Sequence, residues 1–191
     1  MSHAPISLFM HDEPGPRFAI KDVTAALVAA GLPYPTANAR VAAYAKKGLI
    51  HVREKGVATQ PNRFALSDMA AAVVLSALQD AGIADHEVLQ AASLSLYAWT
   101  QSSQTSATTH HPITQALLRA LDGSSVTFDL QFLRDARSGQ RIIDAALTAE
   151  GDERHSSVTR HDAMVATAVV VVALDISLQP VLRHLRRVVG N

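Results

Sequence analysis

The spacing of apolar residues changes once along this chain, and the change constrains the fold more than any single motif. Up to Gly123 most apolar residues recur at helical intervals. From Ser125 they alternate, with Val126, Phe128, Leu130 and Phe132 separated by Thr127, Asp129 and Gln131. A period of 3.6 predicts amphipathic helices and a period of 2 a half-buried strand, so the chain is expected to be α+β. The turn DARSGQ and the run RIIDAALT complete an antiparallel hairpin from Ser125 to Thr148. Residues 150–162 are polar and acidic, a loop. Met164 to Ile176 is an apolar strand with almost no polar face, so it needs cover on both sides. Ser177 opens a last helix whose apolar face is Leu178, Val181, Leu182, Leu185 and Val188, with Pro180 held to its first turn.

The first half breaks at its prolines and glycines. Asp22 to Gly31 has the pattern of a short helix, with Val23, Ala26, Leu27 and Ala30 on one face. Pro33 and Pro35 require a turn. A second helix runs from about Thr36 to Lys47 with Ala37, Val41, Tyr44 and Ala45 as its apolar face. Leu49–Val52 and Asn62–Leu66 are strand-like, and the polar stretch between them suits a hairpin tip. Ser67-Asp68 is placed to cap a helix that Gly82 closes, and Asp85 to cap another reaching Trp99. Residues 101–111 are rich in Ser, Thr and Gln without apolar periodicity, and Pro112 starts a short helix ended by Gly123. No internal repeat is expected. The organisation predicted is a domain over residues 14–99, a linker over 100–111, and a C-terminal module over 112–191.

Charge divides too, near residue 65. The net charge is zero, yet residues 14–65 carry eight basic side chains against Asp22 and Glu54, a net of +6, and the remainder is acidic. A basic lobe joined to an acidic one suits a polyanion-binding half. There are no cysteines, which excludes disulfides and thiolate metal sites. No basic-then-apolar leader is visible, and the longest apolar run is about half the ~20 residues of a membrane span. A cytoplasmic, nucleoid-associated protein without membrane contact is the expectation. His110-His111, His155 and His161 come with no HExxH, nucleophile-elbow or phosphate-loop pattern, so neither an enzyme nor a metal or cofactor site is expected.

Helix, proline turn, helix, hairpin, helix is the order of a winged helix-turn-helix. Opposite Val41 and Tyr44 the second helix presents Ala39, Ala43 and Lys46, with Arg40 and Lys47 on one flank and Asn38 and Ala42 on the other. Small residues let a helix approach a major groove while cations reach phosphates. Arg53, Lys55 and Gln60 fall on the hairpin tip, where a wing touches the neighbouring backbone. The candidate DNA contacts are therefore Lys21, Thr36, Asn38, Ala39, Arg40, Ala43, Lys46, Lys47, Arg53, Lys55, Gln60, Asn62 and Arg63.

Residues 18–95 resemble the MerR family on an ordered set of elements. Tyr44-Ala-Lys-Lys-Gly48-Leu49-Ile50 closes the second helix; Asn62-Arg63-Phe64-Ala-Leu66 and Ser67-Asp68 precede the third, which ends Leu78-Gln-Asp-Ala-Gly82-Ile83. The resemblance implies a winged helix-turn-helix that binds double-stranded DNA as a homodimer. Departures are plain: the family's basic-aromatic pair is Ala42-Ala43, the first turn is proline-rich, and a strand-rich module replaces the long dimerising helix. Thiol–metal sensing does not apply. The resulting expectation is a transcriptional regulator on a two-fold related site. Its C-terminal module would dimerise, bind a protein partner or sense a small-molecule effector. A phage-type excision factor that bends DNA and a protein-interaction adaptor are the alternatives, with a small hydrolase a remote third. A fragment ending near Thr109 is expected to stay folded and to become monomeric.

Overall fold

The computed structural model describes residues 15–56, 61–97, 111–149, 164–179 and 181–183. In chain order its elements are β1 (Phe18–Ala19), α1 (Ile20–Ala29), α2 (Tyr34–Lys46), β2 (Arg63–Phe64), α3 (Leu66–Asp80), α4 (His86–Tyr97), α5 (Pro112–Leu121), β3 (Val126–Asp135), β4 (Arg141–Ala149), β5 (Met164–Ala173) and α6 (Leu174–Ser177). Chain 181–183 is helical again. Gln60, Trp99, the linker to His110, the loop before β5 and the far end of the last helix lie outside the described residues.

The chain is α+β, with a two-stranded sheet β1-β2 and a three-stranded antiparallel sheet of order β4-β3-β5. The hairpin forms where alternation predicted it, with Phe128 opposite Leu147 and Leu130 opposite Ala145. The apolar run after it ends as a strand at Ala173, short of the Ile176 expected. Leu174 opens a helical turn and its side chain is buried. The final helical segment therefore starts ahead of Ser177.

The small sheet was not anticipated. Phe18 pairs with Phe64 and Ala19 with Arg63, so the partner of β2 is the entry to α1. Both strands run straight into helices through one local device. Ala19 N–H donates to Asp22 Oδ2 at 2.8 Å, and Ala65 N–H donates to Asp68 Oδ2 at 2.7 Å. Each aspartate sits at the third helical position and takes the amide of the residue before the helix, half of a capping box. Phe18-Ala-Ile-Lys-Asp22 and Phe64-Ala-Leu-Ser-Asp68 thus share one local capping pattern. Ser67-Asp68 accordingly lies inside α3, not before it. Asp85 caps α4 as expected, accepting from the amides of Glu87 and Val88.

α3 is the centre of the molecule. From Ser67 to Ser76 every residue is buried, which requires neighbours on all sides. α1, α2, α4, α5 and α6 all pack against it. The buried apolar side chains form one contiguous cluster from Phe18 to Leu182, including Phe128, Leu130 and Val172 of the sheet. α5 joins the two halves by packing on both α3 and the β3–β4 face.

Candidate nucleic-acid interface

α2 buries Ala37, Val41 and Tyr44, the face that the spacing predicted. Burial raises the Tyr44 phenol above its usual range, and its hydroxyl donates to Gln79 Oε1 at 2.6 Å. Gly48 then stops the helix in the left-handed region, φ +69°, and Leu49 N–H donates back to Tyr44 O at 2.9 Å. That closure is a Schellman turn, and it drives Leu49 and Ile50 into the core.

Two consecutive buried side chains do not alternate, and Leu49–Val52 is not a strand. The hairpin forms further along. Arg53 N–H donates to Arg63 O and Arg63 N–H to Glu54 O, both at 2.9 Å, and Glu54 bridges Arg63. Lys55 is exposed beyond this base, and Asn62 Oδ1 accepts from Gly56 N–H at 2.9 Å. The wing is therefore shorter than expected.

The largest departure concerns Arg53, expected at the exposed tip. Its side chain is only 4% exposed, and its Nε donates at 3.1 Å to Asp68 Oδ2, whose carboxylate is fully buried. Asp68 also accepts from His51 N–H at 3.0 Å, Tyr97 OH at 2.8 Å and Ala65 N–H. A buried charge persists only when paired and hydrogen-bonded to this degree. His111 closes the other side. Arg53 Nη2 lies 3.3 Å from His111 Nε2, and Tyr97 O lies 3.2 Å from His111 Nδ1. A guanidinium only donates and a carbonyl only accepts, so His111 is the neutral tautomer with its proton on Nδ1. His51 packs on the Tyr97 ring with centroids 4.5 Å apart. Burial pushes the His51 imidazole below the usual histidine range, with Asp68 opposing the shift and Arg53 adding to it.

The other candidates separate by exposure. Thr36, Asn38, Ala39, Lys46 and Lys47 are exposed on α2, Lys21 is exposed on α1, and Ala43 and Arg63 are half-buried. Arg40 is tied down: its guanidinium donates to Ser76 and to Asp80 Oδ1, the latter at 2.7 Å. Thr36, Ala39, Arg40, Ala43 and Lys47 line an open groove of about 640 Å³ completed by Gln79, Ala84 and Leu89. Asn38, Ala42 and Lys46 run down the opposite, open flank. No carboxylate occurs between Asp22 and Glu54, so this surface is acid-free along its own chain.

Sequence reasoning missed Asp68, His51, Tyr97 and His111 as one group. The available signal was the Phe-Ala-x-x-Asp pattern, which marks Asp68 as a capping residue and draws its neighbours inward. Among the described residues no three His, Asp or Glu side chains converge as for a metal ion, and no helix is long and apolar enough to cross a membrane. No protein-family model matches the chain, and no curated protein matches its sequence.

Proposed function

We propose that the chain is a sequence-specific double-stranded DNA-binding transcriptional regulator, with α1 and α2 as a MerR-like helix-turn-helix and residues 53–63 as its wing. It acts as a homodimer on a two-fold related site. The observation that carries this reading is the exposed, acid-free face of α2. One side of the helix is anchored by Ala37, Val41 and Tyr44, and an open flank offers Asn38, Ala42 and Lys46 to solvent, with Lys47 exposed at the groove edge. A small residue permits close approach to a major groove, an asparagine amide suits adenine, and lysines suit phosphates. Lys55 and Lys21 extend the cationic surface. Arg53 takes no part, because its charge is spent on Asp68, and Arg40 reaches DNA only by leaving Asp80.

The test is a salt titration of binding to genomic fragments. Counterion release makes affinity fall steeply with salt, and Lys46→Ala with Lys47→Ala should lower the slope by about two phosphate contacts. Far-UV circular dichroism should be unchanged. Unaltered binding by the folded double variant rejects this orientation of α2. The groove between α2, α3 and α4 favours the adaptor as second reading, since Leu49 and Leu89 give it an apolar floor. Binding to a protein there would be nearly insensitive to salt. A measured DNA bend separates the excision-factor alternative.

A further inference from the structure

β5 stands at the edge of the three-stranded sheet. β3 pairs with one side of it, and among the described residues no strand pairs with the other. Its ten residues, MVATAVVVVA, contain no charge, proline or glycine. Exposed sheet edges ordinarily carry such residues to prevent pairing. One irregularity is present: the register slips between Phe132 and Leu133, and the Thr167 hydroxyl donates to Phe132 O at 3.0 Å. The bulge leaves Ala168 to Ala173 as a regular run. Within it Val172 is buried and Val170 half-buried toward the core, while Val169 and Val171 are 51% and 57% exposed on the other face.

We propose that β5 pairs antiparallel with β5 of a second copy about a two-fold axis through Val170, giving one continuous six-stranded sheet. The inference specifies the homodimer of the preceding reading. An axis perpendicular to the sheet keeps each face on its own side. Val170 therefore meets its own copy, Val169 meets the partner's Val171, and Ala168 meets the partner's Val172. Charge favours a second copy as the occupant. A two-fold axis doubles every charge it brings near, and β5 has none. Among the described residues, Asp129 on β3 lies directly beside Val171. It lies one strand in from the edge, so the two copies of it are three strand spacings apart, about 14 Å. That exceeds the Debye length of about 8 Å at physiological salt.

The ladder supplies a comparable argument from hydrogen bonds. Ala168 to Val172 paired with itself makes about four to six backbone hydrogen bonds, at the low end of the range of about 10 ± 5 for a stable interface. The four valines from Val169 and Val171 of both copies form an apolar stripe over that ladder.

Sedimentation equilibrium of the full chain, without DNA, should show a dimer. Val169→Lys with Val171→Lys, both at exposed positions, should convert it to monomer with unchanged circular dichroism. Mixing that variant with Val169→Glu/Val171→Glu should restore a heterodimer. The chain has no cysteine, so Val170→Cys should cross-link on oxidation. Val165→Cys should not, because that register places its two copies about 34 Å apart. A monomeric wild-type chain, or a dimer indifferent to the lysine pair, overturns the proposal. So does a monomer whose β5 amides resist hydrogen exchange, since another segment of the chain would then hold the edge. A dimer without DNA affinity would reject the DNA reading alone, and a DNA-binding monomer would reject this proposal alone.

Discussion

α3 and β5 carry nearly the same kind of sequence and meet opposite fates. Met69 to Leu78 reads MAAAVVLSAL and Met164 to Ala173 reads MVATAVVVVA. Both lack charge, and neither has a polar face. α3 is enclosed by five other helices, with ten consecutive residues buried. β5 is covered on one edge and part of one face, and Val165, Val169 and Val171 remain more than half exposed. The difference lies in what a helix and a strand must satisfy. A helix closes its own backbone hydrogen bonds and asks only for apolar neighbours. An edge strand leaves a row of amides and carbonyls open as well. The single chain supplies what α3 needs, whereas β5 is completed by a strand.

The sharpest way to break this comparison is to attack the end where α3 is polar. Asp68 is the one charge in its buried stretch, and the Arg53 guanidinium is held almost wholly inside against it. Asp68→Ala leaves that cation unpaired, and Arg53→Ala leaves the carboxylate unpaired. Each should lower the unfolding free energy by about 3–5 kcal/mol. Lys55→Ala, on the exposed part of the wing, should change it by less than about 0.5 kcal/mol. Urea unfolding of the three variants decides the matter. A mild Arg53→Ala would mean that the wing residue swings freely to solvent, as the sequence pattern alone implied.

The next contrast compares the two apolar runs directly. Leu75 is fully buried in α3, and Leu75→Ala should destabilise by about 2–5 kcal/mol through lost transfer energy and a residual cavity. Val169→Ala, measured at protein concentrations low enough to be monomeric, should cost under about 0.5 kcal/mol. The same substitution should weaken dimerisation at higher concentration. Equal losses at both sites in the monomer would mean that β5 is covered within its own chain. Truncation near Thr109 belongs to this contrast as well. It removes Ile113 and Leu117, both buried in the shared core, so the fragment should melt without a cooperative transition. That replaces the expectation of a stable fragment.

What was legible in the sequence was periodic. The buried face of α2, the β3–β4 hairpin and the glycine stops all follow from spacing and local backbone preference, and each involves only residues close in sequence. What was not legible depended on partners distant in sequence. β1 is two residues long and exists only because Phe64 pairs with Phe18. Arg53 looked like a wing cation because its counterion lies fifteen residues away, on a helix whose start was placed too late. His111 looked like linker for the same reason: its contacts to Arg53 and Tyr97 are tertiary. For the candidate interface, exposure on α2 was predictable, but the capture of Arg40 by Asp80 was not.

The smallest expected effect is a pH dependence, and it separates the two regions once more. His51 is held neutral by burial beside Tyr97, with its imidazole below the usual histidine range. Above the unfolded value of about 6.5 both states are neutral and the group contributes nothing to the pH dependence. As pH falls below that value the unfolded chain takes up a proton that the folded chain resists, so stability declines until the folded imidazole also titrates. His51→Gln removes the difference while keeping the backbone N–H that Asp68 accepts. Unfolding midpoints at pH 7.5, 6.5 and 5.5 should fall for the wild type and fall less for the variant. β5 has no titratable side chain, so the dimer dissociation constant should stay flat over the same interval while the protein remains folded. Parallel pH profiles for wild type and His51→Gln would mean that the imidazole reaches water. A dissociation constant that climbs on acidification would place a titrating group at the β5 edge, and the contrast between a sealed polar end and an uncharged seam would fail.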